Sequence, residues 1–219
     1  MKTAVLLGAG GLGCPAGLAL FDEARARGVE LRLVIVDDDR IDRSNLSRQI
    51  LYTEAEVGQF KAEVAARKLG AVARVVRFDG ATAAALLSEA DVVLDGTDNF
   101  ETRFRANDEA VARRLPLVHG AALGWTGQLL TILPGRSGCL RCLFEVPPPP
   151  GSVPACAEAG VLSPLCGLVG AAMARAAMQV LLGAPAPGVL WRWDALRGTE
   201  RPLAVPRDPS CAACAHVAS

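Results

Sequence analysis

The chain has 219 residues, 51% of them hydrophobic, 21% charged and 5% aromatic, and its 23 Lys+Arg balance 23 Asp+Glu. That length supports one sizeable core, and the apolar share excludes intrinsic disorder. The balanced charge and scarce aromatics argue against nucleic acid or an anionic membrane surface as partner.

Residues 3–7 form a short apolar run that leads straight into glycines, which predicts a buried strand. The run is too short for a signal peptide, and no stretch reads as the roughly 20 apolar residues of a membrane span, so a cytoplasmic protein is expected. Residues 15–27 predict a helix ending at Gly28. Residues 31–36 predict a second buried strand, ending in Asp37-Asp38-Asp39, and 40–59 read as polar and irregular. A helix over 61–69, a strand over 74–78, a helix over 81–88 and a strand over 92–94 follow, then a helix over 101–114 and a strand over 116–119. This alternation predicts an α/β, Rossmann-like, mostly parallel sheet with helices on both faces.

Beyond Ala121 the pattern changes. Residues 128–133 predict a strand with no helix after it, and Pro147–Pro150 with Gly151 reads as a linker. A small-residue helix is expected over 167–182, and residues 189–193 and 203–205 as a hairpin, giving a C-terminal antiparallel extension. One domain over 1–219 is expected, with a nucleotide-binding half, 1–121, and a second half, 122–219.

Gly8-Ala9-Gly10-Gly11-Leu12-Gly13 fits G-x-G-x-x-G between a strand and a helix. Glycines there permit a tight turn and let backbone N–H groups approach phosphate, with the helix dipole adding to the attraction. Asp37 and Asp39 end the next strand, where a carboxylate can hold ribose hydroxyls. This motif does not separate NAD from ATP. The block from Asp39 to Gln49 adds Asn45, Arg48 and Gln49, and Lys61 follows. Cations near a nucleotide stabilise charge developing on a phosphoryl oxygen, and hydride transfer needs no such cluster.

Four of seven cysteines fall in two C-x-x-C pairs, Cys139/Cys142 and Cys211/Cys214. Four thiolates in knuckle-like pairs suit a tetrahedral structural zinc, here tying the tail back to the loop after residue 133. Cys14 is expected to pack as a small residue, although a helix N-terminus can lower a thiol pKa. Cys166 is expected to be buried. His119 reads as a packed core histidine, and Trp125, Trp191 and Trp193 as core or interface.

Together, G-x-G-G-L-G, Ser44-Asn45-Leu46-Ser47-Arg48-Gln49 and the downstream lysine resemble the ubiquitin-activating (E1) superfamily. The nearest likeness is to its bacterial adenylyltransferases of molybdopterin and thiamin biosynthesis, the ThiF/MoeB/HesA group. Asp95-Gly96-Thr97-Asp98-Asn99-Phe100-Glu101-Thr102-Arg103 is similar to that family's D-x-x-D-N-F-x-T-R. Pro116-Leu117-Val118, Gly127-Gln128, Cys139 to Phe144 and Cys156 to Val161 also match, in order, across nearly the whole chain.

The resemblance implies ATP-dependent adenylation of the C-terminal carboxylate of a small ubiquitin-like carrier protein ending in Gly-Gly, by a homodimer. It places Gly8, Gly10, Gly11 and Gly13 at the ATP phosphates and Asp37 at the ribose. It places Asn45, Arg48 and Lys61 at the transition state, with Gln49 beside them, and Asp98 at Mg²⁺. Asp98 also lies where an Asp favours the start of a helix. Cys156 stands where some members form a thioester or acyl-disulfide with the carrier and others do not need a cysteine. Bacterial members carry a helical segment before the first strand that gives an arginine to the neighbouring subunit's ATP site, and this chain starts almost at the strand. A substitute arginine, reduced activity or a different dimer is expected. The competing readings are a degenerate nucleotide- or carrier-binding module and an NAD-binding Rossmann protein.

Overall fold

A computed structural model describes residues 1–149, 152 and 160–217. Among the described residues eight strands form one sheet in the order β3-β2-β1-β4-β5-β6-β7-β8. The strands are β1 (Lys2–Leu7), β2 (Leu31–Val36), β3 (Val72–Arg74), β4 (Val92–Asp95), β5 (Leu117–Leu123), β6 (Thr126–Ile132), β7 (Val189–Asp194) and β8 (Thr199–Ala204). The first five pair in parallel. From β5 onward pairing is antiparallel, so the C-terminal hairpin continues the same sheet. This is the expected α/β architecture with its antiparallel extension.

The helices are α1 (Gly13–Ala26), α2 (Lys61–Leu69), α3 (Ala83–Leu87), α4 (Phe100–Ala112), α5 (Leu140–Leu143) and α6 (Ser163–Leu181). Side chains alternate across a strand, so β1 sends Ala4 and Leu6 to one face and Val5 and Leu7 to the other. The first face packs against α1, α2 and α6. The second packs against α3, α4 and the cysteine-rich segments. Burial on both faces is why the central strands are continuously apolar.

Close approach of α6 to its neighbours depends on missing side chains. A Cβ on Gly170 would lie 2.6 Å from Pro15 Cγ and 2.8 Å from Leu12 O. One on Gly127 of β6 would lie 2.6 Å from Val169. The helix begins at Ser163, one turn earlier than expected, with a proline in its first turn where the missing N–H costs nothing. By length and composition α6 matches a membrane span, which the sequence reading missed. It is the central packing helix of one core, with Leu165, Val169, Met173 and Met178 all buried.

The expected strand over 74–78 is corrected: β3 ends at Arg74. Its partner β2 ends at Val36, and Asp37 N–H closes the pairing on Arg74 O. Residues 76–78 then turn toward the cleft. The irregular block contains two short 3₁₀ turns, Arg43–Asn45 and Glu54–Glu56. Trp125, expected in core or interface, is 50% exposed at the β5–β6 turn, whereas Trp191 and Trp193 pack partly buried on the core.

Candidate functional site: a nucleotide-sized cleft and a four-thiol knuckle

Strands β1, β2 and β4 end on the same side of the sheet, and the loops leaving them enclose a cleft of about 410 Å³. Such a crevice beyond the carboxyl ends of parallel strands is where open α/β sheets bind ligands. Its lining brings together Gly8, Gly10, Gly11, Asp37, Asp39, Arg48, Gln49, Lys61 and Asp98, nine residues singled out in the sequence.

Two expected residues stand elsewhere. Gly13 supports the loop from behind, since a Cβ there would lie 2.0 Å from Gly8 O. Its role is close strand–helix packing. Asn45 does not line the cleft; its Oδ1 accepts a 2.5 Å hydrogen bond from Arg48 Nη2 and so aims the guanidinium.

The glycine loop is anchored from three sides. Ala9 N–H donates to Asp37 Oδ2 at 2.7 Å, and Tyr52 Oη donates to Ala9 O at 2.7 Å. Cys14 Sγ–H donates to the same carbonyl at 3.3 Å. Asp37 Oδ1 accepts from Asp39 N–H. Burial raises the Asp37 carboxyl above its ordinary range, opposed in part by Lys61 and by these N–H groups. Among the described residues no side chain caps the N-terminus of α1, and a helix end of that kind suits an anion. The thiol of Cys14 is pushed up to about 11 by burial, so packing overrides any lowering by the helix dipole.

Lys61 is buried at the cleft and pairs with Asp39 Oδ2 at 2.6 Å. Gln49 is 3% exposed, and its Oε1 has no hydrogen-bond partner among the described residues. A buried acceptor of that kind is costly unless a ligand or water satisfies it. On the far side Asp98 and Asn99 are exposed at the rim, and Asn99 Oδ1 caps α4 by accepting from Thr102 N–H at 2.8 Å. The helix cap expected of Asp98 therefore falls to its neighbour.

Sequence reasoning missed several lining residues: Val76, Arg77, Phe78, Thr97, Thr102, Arg103 and Cys166. Thr97, Thr102 and Arg103 lay inside a quoted motif, which was the available signal. Cys166 is 3% exposed, as expected of a buried cysteine, but it borders the cleft. Cys156 lies outside the described residues, as do Pro150 and Gly151 of the linker.

At the opposite end of the sheet the thiols of Cys139, Cys142, Cys211 and Cys214 all lie within 4.8 Å of one another. The recorded Sγ–Sγ distances are 3.7 Å for Cys139–Cys211, 3.9 Å for Cys139–Cys142 and 3.4 Å for Cys142–Cys214. A tetrahedron of Zn–S bonds near 2.3 Å has edges of about 3.8 Å, so the thiol set fits zinc. Asp208 N–H donates to Cys142 Sγ at 3.4 Å and Asn107 Nδ2 to Cys139 Sγ at 3.8 Å, the outer support that metal thiolates receive.

A parallel sheet carrying a glycine loop, a cationic pair and a rim carboxylate, joined to a four-thiol knuckle, defines a Rossmann-like protein with a phosphate-suited cleft. The chain belongs to the ThiF family, whose sequence profile matches residues 2–213. It is 44% identical to the sulfur carrier protein adenylyltransferase of Thermus thermophilus, covering 96% of this chain and 81% of that protein. It is 41% identical to the SAMP-activating enzyme E1 of Haloferax volcanii, over 96% and 79% of the two chains. Against the adenylyltransferase and sulfurtransferase MOCS3 of Caenorhabditis briggsae it is 41% identical over 97% of itself, but spans only 55% of that protein. The crystal structure of E. coli MccB with ATP superposes with a TM-score of 0.81 over 98% of this chain and 67% of that one. At 19% identity that likeness is one of fold.

Proposed function

We propose that this chain adenylates the C-terminal glycine carboxylate of a small ubiquitin-like sulfur carrier protein, using ATP and releasing pyrophosphate. The observation that carries this reading is the convergence of Arg48, Lys61 and Asp98 around a glycine loop in one cleft. Relatives at 41–44% identity are named as activating or adenylylating enzymes of such carriers.

In the reaction a carboxylate oxygen attacks the α-phosphorus, and the bond to the bridging oxygen of pyrophosphate breaks. Both reactants are anionic, so the barrier is lowered chiefly by neutralisation and alignment rather than by a protein nucleophile. The backbone of Gly8, Gly10 and Gly11 receives the phosphates, and Asp37 faces the ribose. Arg48, aimed by Asn45, and Lys61 stabilise charge on the phosphoryl oxygens, with Gln49 beside them. Asp98, near the C-terminal end of β4, is the carboxylate that would hold Mg²⁺, which when bound supplies further charge neutralisation.

The four cysteines would hold a structural Zn²⁺ that fastens the tail to the sheet. The exposed Leu168 and Arg175 on α6, beside Ala19 and Ala26 of α1, offer a face for a second copy of the chain in a homodimer. Cys156 is the residue to test for covalent attachment of the carrier.

Intact-mass analysis of a Gly-Gly-terminated carrier incubated with the chain, ATP and Mg²⁺ tests the reading. A gain of one AMP by the carrier is expected. Nucleotide binding with no AMP transfer to any carrier would favour the catalytically degenerate module instead.

A further inference from the structure

Asp95, the last residue of β4, and His119, the third residue of β5, are register partners on adjacent parallel strands. Both are buried, at 0% and 5% exposure. His119 Nδ1 lies 2.7 Å from Asp95 Oδ2, so with Asp95 ionised the ring donates from Nδ1. The other carboxylate oxygen, Oδ1, accepts from Thr97 N–H at 3.1 Å and from Thr97 Oγ1 at 2.7 Å. Arg103 then clamps the same residue from outside, donating to Thr97 O from Nε at 3.0 Å and from Nη2 at 2.8 Å.

The turn held in this way forms one wall of the cleft. Gly96, Thr97, Asp98 and Asn99 all line it. The turn also sits directly on the glycine loop: a Cβ on Gly8 would lie 3.2 Å from Gly96 C and O. A displacement of residues 96–99 therefore moves Asp98 and presses on the loop together.

We propose that His119 is a positioning residue for the nucleotide cleft, acting through Asp95 to hold the 96–99 turn in place. A fully buried carboxylate requires partners on both oxygens. Removing His119 orphans Oδ2, and relief comes by rotating or protonating the carboxylate, either of which weakens its hold on Thr97. Filling space in the core would need only an apolar side chain; the 2.7 Å bond and the register pairing assign His119 a directional task.

The inference rests on the cleft being the ATP site, and the experiment separates the two. His119→Leu keeps the bulk without the donor, and His119→Asn restores a donor toward Asp95. Amide hydrogen exchange of residues 96–99 reports the turn with no nucleotide present, and ATP affinity reports the cleft. His119→Leu is expected to speed exchange in the turn and weaken ATP binding, each by about tenfold, as for loss of one buried charge-assisted hydrogen bond. His119→Asn is expected to bring both back to within about twofold of wild type. If the leucine variant does not fold, His119→Ala with added imidazole serves, and imidazole should slow exchange in the turn. Wild-type exchange at 96–99 in His119→Leu, or loss with no rescue by asparagine or imidazole, would overturn the proposal. A wild-type chain that bound no ATP would refute the reading of the cleft, while the exchange data alone would still judge the brace.

Discussion

Lys61 Nζ lies 2.6 Å from Asp39 Oδ2, with the lysine side chain 8% exposed and the carboxylate 69% exposed. The ammonium is thus presented from the protein side of the cleft, and its partner sits at the solvent edge. The backbone repeats the connection, since Lys61 N–H donates to Asp39 O. This arrangement fixes the Lys61 ammonium in the cleft that the glycine loop also lines.

Replacing that charge tests its role. Lys61→Ala is expected to lower the rate of ATP–pyrophosphate exchange by about 10²–10³-fold, the usual cost of removing one preorganised electrostatic contact. Asp39→Asn keeps the ammonium in place and is expected to cost far less. Circular dichroism and thermal melting check that both variants fold.

Glycine positions in the loop should not tolerate substitution equally. A Cβ on Gly13 meets the Gly8 carbonyl oxygen at 2.0 Å, and neither backbone can yield cheaply. Gly13→Ala is expected to destabilise the fold by roughly 2–3 kcal/mol and to weaken nucleotide binding. At Gly11 the nearest atoms are the flexible Arg48 side chain and Cys166 Sγ at 3.4 Å. Gly11→Ala is expected to melt within about 1 kcal/mol of wild type. Denaturant titration of the two variants distinguishes them.

The four-thiol knuckle predicts one zinc per chain by elemental analysis. Arg207 braces the tail internally through the carbonyls of Cys214, Ala215 and Val217 and ties it to Gly135 O, while Val205 and Val217 are buried against the core. Cys214→Ser, or a strong chelator, is expected to release the metal and lower the melting temperature by several degrees. Unchanged melting in the serine variant would make the cluster a set of reduced thiols without a metal.

Cys14 supplies a pH prediction. Its thiol is raised to about 11 chiefly by burial, against about 8.5 for a free cysteine. The folded state thus favours the protonated form. The associated stability is fully present below pH 8.5 and is lost as pH rises toward 11, at about 1.4 kcal/mol per unit. Between pH 7 and 9 the native chain should therefore resist alkylation at Cys14, which peptide mapping after iodoacetamide treatment would show.

The parallel sheet was readable from the sequence because its strands are buried on both faces and spell continuous apolar runs. Much of the lining of the candidate cleft was readable because its motifs lie where those strands end. Residues 76–78 were not: Val75, Val76 and Phe78 look like a strand continuing from Arg74, and only the end of β2 at Val36 shows that pairing stops. Gly13 and Asn45 were placed at the cleft because a motif does not distinguish a residue that touches a ligand from one that props its neighbour. His119 was read as inert core because its partner, Asp95, is 24 residues away, and parallel register is not visible in sequence.

Carrier-dependent ATP–pyrophosphate exchange tests the central claim most directly. With Mg²⁺, labelled pyrophosphate should enter ATP only when a small carrier ending in Gly-Gly is present, and removal of the terminal glycine should abolish it. Binding of ATP without exchange, across every Gly-Gly carrier from the same source, would contradict the account and leave a nucleotide-binding module without adenylation.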